Sequence, residues 1–83
     1  MKTIHKYPLE IGTTLHHMPA GAKVLAVAMQ GTQLTLWAEV WKDGDPEVRM
    51  FEVHGTGHSI PADNRKHIGT AIDGKFVWHV YER

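Results

Sequence analysis

Leu34-Thr35-Leu36-Trp37-Ala38-Glu39-Val40-Trp41 alternates strictly between two kinds of side chain. Successive side chains on an extended strand point to opposite faces, so Leu34, Leu36, Ala38 and Val40 share one apolar face. Thr35, Trp37, Glu39 and Trp41 share the other. A helix would mix the two sets, and this octapeptide therefore commits the chain to β structure. Upstream, Gln30-Gly31-Thr32-Gln33 reads as a tight turn after a strand over Lys23 to Gln30. In regular alternation that strand places Val24, Ala26 and Ala28 on one side and Leu25, Val27 and Met29 on the other. Both sides are apolar, which predicts a central strand covered on both faces. Downstream, Lys42-Asp43-Gly44-Asp45-Pro46 has the composition of a hairpin loop leading into a strand over Val48 to His54. That hairpin sets Glu39 and Glu52 across from each other.

The same rhythm extends to both ends. Thr3 to Tyr7 forms a short strand closed by Pro8, and Thr13 to Met18 a second, ended by Pro19-Ala20-Gly21. Thr70 to Ile72 and Lys75 to Tyr81 flank Asp73-Gly74, a strong two-residue hairpin signal of type I′. Phe76, Trp78 and Val80 then share a face, with Trp78 in the core, and Val77, His79 and Tyr81 share the opposite one. Gly55 to His67 is the longest irregular stretch, with at most one short helical turn near Ala62 to Lys66. The expectation is one all-β domain over residues 1–83. It is a small antiparallel sandwich or partly open barrel of six to seven short strands.

The 83 residues contain no cysteine, so no disulfide staples the fold. Nine basic residues balance nine acidic ones, which argues against duplex nucleic acid as a partner. No apolar run approaches the length of a membrane-spanning helix, and no signal-type segment follows the first residues. The expected location is the cytoplasm. Seven histidines make the net charge depend on mildly acidic pH. Short strands leave free edges, which invite pairing with a second copy, so a homo-oligomer is one expectation.

No nucleophile sits in a motif and no paired carboxylates mark a cleft, so no catalytic residue is assigned. His16 and His17 are adjacent and diverge on a strand. His54 and His58 are separated by glycines, so no metal ligands and no cofactor are assigned either. The most informative loop is Gly55-Thr56-Gly57-His58-Ser59. Two glycines frame a hydroxyl residue there, and free N–H groups in such a bend make a nest for an anion. Its plain alternative is a tight bend with glycine chosen for backbone freedom. Trp37 and Trp41 share one strand face, either as a second core layer or as a stacking and contact surface.

Several segments together, Lys2-Thr3-Ile4 with Tyr7-Pro8-Leu9, Met18-Pro19-Ala20-Gly21-Ala22-Lys23, Leu36 to Val40, Gly55 to His58 with Ile60-Pro61, Ile68-Gly69-Thr70 and Phe76 to Glu82, resemble a family of small bacteriophage and prophage proteins. That family is known as a domain of unknown function and brings no catalytic residues. The resemblance implies a phage accessory protein acting in the cytoplasm of the bacterial host. The function expected first is a non-enzymatic binder serving counter-defence. It would sequester a small anionic or nucleotide ligand, or mask a host defence protein. A small virion or assembly protein is the alternative, and a metal-assisted hydrolase a further one.

Overall fold

A computed structural model describes residues 1–83 as seven antiparallel β-strands in two sheets, with no helix. The alternating octapeptide lies in β4 (Gln33–Trp41), the middle strand of the first sheet. β1 (Lys2–Pro8) pairs along one side of it and β3 (Lys23–Gln30) along the other. Leu34, Leu36, Ala38 and Val40 are all buried on the inner face, as the alternation requires. The second sheet has the order β2 (Gly12–Pro19), β5 (Pro46–Gly55), β7 (Phe76–Glu82), β6 (Lys66–Asp73). It contributes Phe51, Val53, Ala71 and Val80 to the same core, and Met18, Ala22, Leu9 and Tyr7 complete it. Trp78 packs against this core, half-buried. The two sheets stack as an unclosed sandwich.

The central placement of β3 is corrected: it is an edge strand. A β-bulge between Val24 and Ala26 makes Leu25 an extra residue and resets the alternation. Val24, Val27 and Met29 therefore face inward opposite Ala38, Leu36 and Leu34, while Ala26 and Ala28 face outward. The strand looked apolar on both sides because its outward residues are two small alanines.

The hairpin expected at Lys42 to Pro46 is instead a crossover. β4 already has a partner on each side, so the chain must leave for the other layer. Asp45 O accepts from Ala20 N–H at 2.7 Å, and Trp41 O accepts from Gly44 N–H at 3.1 Å. Glu39 and Glu52 consequently lie on different sheets and do not meet. The last hairpin also differs in detail. Asp73 pairs with Phe76, so the two-residue loop is Gly74-Lys75. Only Gly74 has positive φ, at 57°, which is the pattern of a type II′ turn rather than I′. Gly31, at 60°, repeats it between Gln30 and Gln33. The stretch around Ala62 to Arg65 bends without forming a helical turn, and Lys66 already begins β6.

One flank of the sandwich is held shut by a contact between its edge strands, β3 and β6. Gly69 lies so close to Val27 that a Cβ there would stand 2.8 Å from Val27 Cβ. At the other flank, the His16 imidazole donates through Nε2 to Pro8 O at 2.6 Å and its ring meets Tyr7 edge-on.

Candidate functional site

The loop Gly55 to Ser59 is a turn that spends most of its own donors. His58 N–H donates to Gly55 O at 3.1 Å, Gly55 N–H to His58 Nδ1 at 3.1 Å, and Thr56 N–H to Val77 O at 3.3 Å. Only the N–H groups of Gly57 and Ser59 are left for an anion. Gly57 has φ of 88°, so the bend requires glycine at that residue. No heavy atom lies within 4 Å of a Cβ built there. A Gly57→Val chain is therefore expected to lose about 1–2 kcal/mol through backbone strain alone. Urea unfolding measures this, and an unchanged midpoint contradicts it.

Trp37 and Trp41 lie on the outer face of the first sheet, where no further layer covers them. Trp37 is half-buried between its cross-strand neighbours Lys6 and Ala26. Trp41 is 48% exposed, with Lys2 Nζ 5.0 Å from its ring centroid. Lys2 also pairs with Glu39 at 3.2 Å. The second-core-layer reading of these indoles does not apply, and they are surface residues.

A charged recess with an apolar wall lies elsewhere, at one end of the seam between β3 and β6. It is a groove of about 490 Å³ lined by Ala22, Lys23, Val24, Arg49, Lys66, His67, Ile68 and Glu82. Two bulges shape it. Leu25 is extra in β3, and Ile68 is extra in β6, between His67 and Gly69. Bulges re-aim side chains at sheet edges, and here one stands on each wall.

The floor is an ion pair. Arg49 is in phase with Phe51 and Val53, so its side chain enters the sandwich from the end of the core. It donates to both Glu82 carboxylate oxygens, from Nε at 2.6 Å and Nη2 at 2.8 Å, and from Nη1 to Ala22 O at 2.5 Å. The Glu82 bonds tie β5 to β7 within the second sheet, and the Ala22 bond reaches the turn that leads into β3. Hydrogen bonding to the Glu82 carboxylate raises the Arg49 pKa further despite the opposing effect of burial, so the guanidinium stays charged. Glu39 and Glu82 are the cross-strand neighbours of Lys23 and Lys66, but neither lysine has a carboxylate within ion-pair distance or a side-chain hydrogen bond. Three cations against one carboxylate leave the groove with two positive charges. Val24 and Ile68 supply an apolar wall.

Beside the groove, the Arg65 side chain lies against the outer face of the second sheet. Arg65 donates to Glu52 through Nε at 2.6 Å and Nη2 at 3.1 Å and also pairs with Asp63. His54 Nε2 meets Glu52 Oε1 at 3.0 Å. A second polar chain runs from Thr56 through His79 and Thr70 to His67, with links of 2.8, 3.2 and 2.8 Å. No group of three or more His, Asp or Glu side chains is arranged to hold a metal ion.

The predicted loop and the groove are distinct places. Gly55 pairs with Trp78, and Glu82 lies four residues further along β7, roughly 13 Å away at strand spacing. Sequence reasoning missed the groove. One signal for it was present: Arg49 and Glu82 carry charge at positions in phase with core residues, which calls for a buried partner for each.

A family model described as a domain of unknown function (DUF7352) matches residues 1–83, and the chain belongs to that family. No curated protein and no solved structure matches it.

Proposed function

We propose that this protein is a non-enzymatic binding module that holds a small phosphate-bearing ligand, of nucleotide type, in the groove between β3 and β6. We further read it as a phage accessory protein acting in the host cytoplasm, where sequestering such a ligand blunts a defence signal. The observation that carries the reading is the pair of unpartnered lysines, Lys23 and Lys66, beside an Arg49 that Glu82 already neutralises. A phosphate dianion matches the two remaining charges, and charge-assisted bonds to such groups are among the stronger polar contacts. Val24, Ile68 and the His67 ring offer a surface for a base. The mixture of apolar wall and few polar groups is typical of small-molecule sites.

Calorimetry against inorganic phosphate and a panel of linear and cyclic nucleotides tests this. Saturable heat from at least one nucleotide is expected, and silence across the panel overturns the proposal. Lys23→Ala and Lys66→Ala, which place no like charges opposite Glu39 and Glu82, are each expected to weaken that binding severalfold. Both residues are exposed, so the melting temperature stays near that of the parent. Affinity unchanged in both variants places the ligand elsewhere.

A second reading, masking of a host protein, is favoured by the cluster of Ile4 and Trp41 exposed together on the outer face of the first sheet. Trp41→Ala with normal stability and lost partner capture would support it.

A further inference from the structure

We propose that β2 is a self-association edge, pairing antiparallel with β2 of a second copy about a two-fold axis. β2 has one neighbour, β5. None of the eight backbone hydrogen bonds outside the strand ladders involves Gly12 to Met18. Half of this strand's N–H and C=O groups therefore point away from the protein, available to a further strand.

The other sheet edges are defended. β1 carries Lys2 and Lys6, while β3 and β6 carry Lys23 and Lys66 and face each other across the closed flank. Charges along an edge are a common guard against strand addition. β2 has none: Ile11-Gly12-Thr13-Thr14-Leu15-His16-His17-Met18-Pro19-Ala20-Gly21 contains no Lys, Arg, Asp or Glu.

The absence of charge is what selects a second copy as the occupant. A two-fold axis sets a strand against its own sequence, and like charges placed opposite one another are destabilising. β1 paired with itself brings lysines together. β2 paired with itself brings none. Centred on Leu15, the pairing sets Leu15 opposite Leu15, Thr13 opposite His17 and Thr14 opposite His16 of the second copy, with each pair on a common face. Leu15 is 56% exposed and lies beside Met50, and Val48 is as exposed next to it. The joint would thus carry an apolar stripe across two continuous sheets. Eight residues give a seam of roughly 27 Å. The groove lies at the opposite flank, so this inference is independent of the proposed ligand.

Sedimentation of the intact chain at micromolar concentration tests it. The expected result is twice the mass of one chain. Leu15→Lys is expected to weaken association at least tenfold, giving monomers at the same concentration, because two lysines then oppose each other. Ile4→Lys, on the β1 edge, is expected to remain dimeric. A circular dichroism spectrum unchanged in both variants confirms that they are folded. A monomeric parent chain, a Leu15→Lys dimer, or a dimer broken by Ile4→Lys instead would overturn the assignment.

Discussion

Glu52→Ala is expected to lower the unfolding free energy by about 3 kcal/mol, at the low end of the cost of removing one partner from a buried ion pair. Glu52 is 7% exposed although it faces outward, because the Arg65 side chain, itself 7% exposed, covers it. The carboxylate takes two hydrogen bonds from Arg65 and one contact from His54, and Arg83 Nε stands 3.8 Å away. Without it the guanidinium keeps only Asp63, a largely exposed partner. The loss is large because the remaining cation stays covered and uncompensated, not because the pair itself is strong. The same contacts set the pH dependence. The Arg65 hydrogen bonds, together with His54 and nearby cations, outweigh burial and hold the Glu52 carboxyl below the usual carboxylate range. A group whose folded pKa is depressed adds stability that is complete above its unfolded value, about 4.3 for Glu. That contribution disappears as pH falls through the lower folded value. The parent chain is therefore expected to lose its margin over Glu52→Ala in acid, measured by urea unfolding from pH 7 down to pH 2. A constant difference across that range counts against the ion-pair account.

Gly69→Val is expected to cost about 2–3 kcal/mol, through overpacking rather than strain in φ. A Cβ at Gly69 stands 2.8 Å from both Val27 Cβ and Val27 Cγ2. Real side chains do not approach so closely, and the obstacle is the base of a β-branched residue, which cannot swing aside. β3 must retreat from β6, so the flank opens and the groove widens with it. Gly69→Ala makes the milder version of the same clash. Combined with Val27→Gly it is expected to show a favourable coupling of at least about 1 kcal/mol, since that second change removes both atoms with which the new Cβ collides. Additive losses in that double-mutant cycle, read by denaturant midpoints, contradict the proposed contact.

The sandwich was legible because β4 alternates without interruption, and its four inward residues could be read off directly. What escaped the reading was the phase of β3 and β6. Leu25 and Ile68 are inserted residues; the first sits among apolar neighbours and leaves no composition mark, while Gly69 beside the second marked a bulge that the reading did not use. The crossover after β4 was hidden for a different reason. Asp43-Gly44-Asp45-Pro46 has turn chemistry whichever sheet follows, and only the occupancy of both β4 edges forces the chain into the other layer. The turn at Gly74 was placed one residue early because Asp-Gly fits the favoured I′ pair, whereas Asp73 remains in the ladder with Phe76.

For the site, the sequence pointed to Gly55 to Ser59 through its glycines, and Gly57 does take the positive φ that such a bend needs. It could not show that His58 closes the turn on itself. The groove is assembled from residues far apart in the chain, Lys23, Arg49, Lys66 and Glu82, so no short motif carries it. Lys66 was read as part of a loop, since the β6 signal began only at Thr70. Arg49 was the one clear hint, a guanidinium at a position where Phe51 and Val53 say the core lies.

The central claim is that the bulged seam between β3 and β6, with its two unpartnered lysines, is where an anion is held. Backbone amide chemical shifts followed during titration with inorganic phosphate and then adenosine diphosphate locate that anion directly. The account predicts saturable movement of Lys23, Val24, Lys66, His67 and Ile68, with Gly55 to Ser59 stationary. Movement confined to Gly55 to Ser59, or none at millimolar ligand, would contradict it.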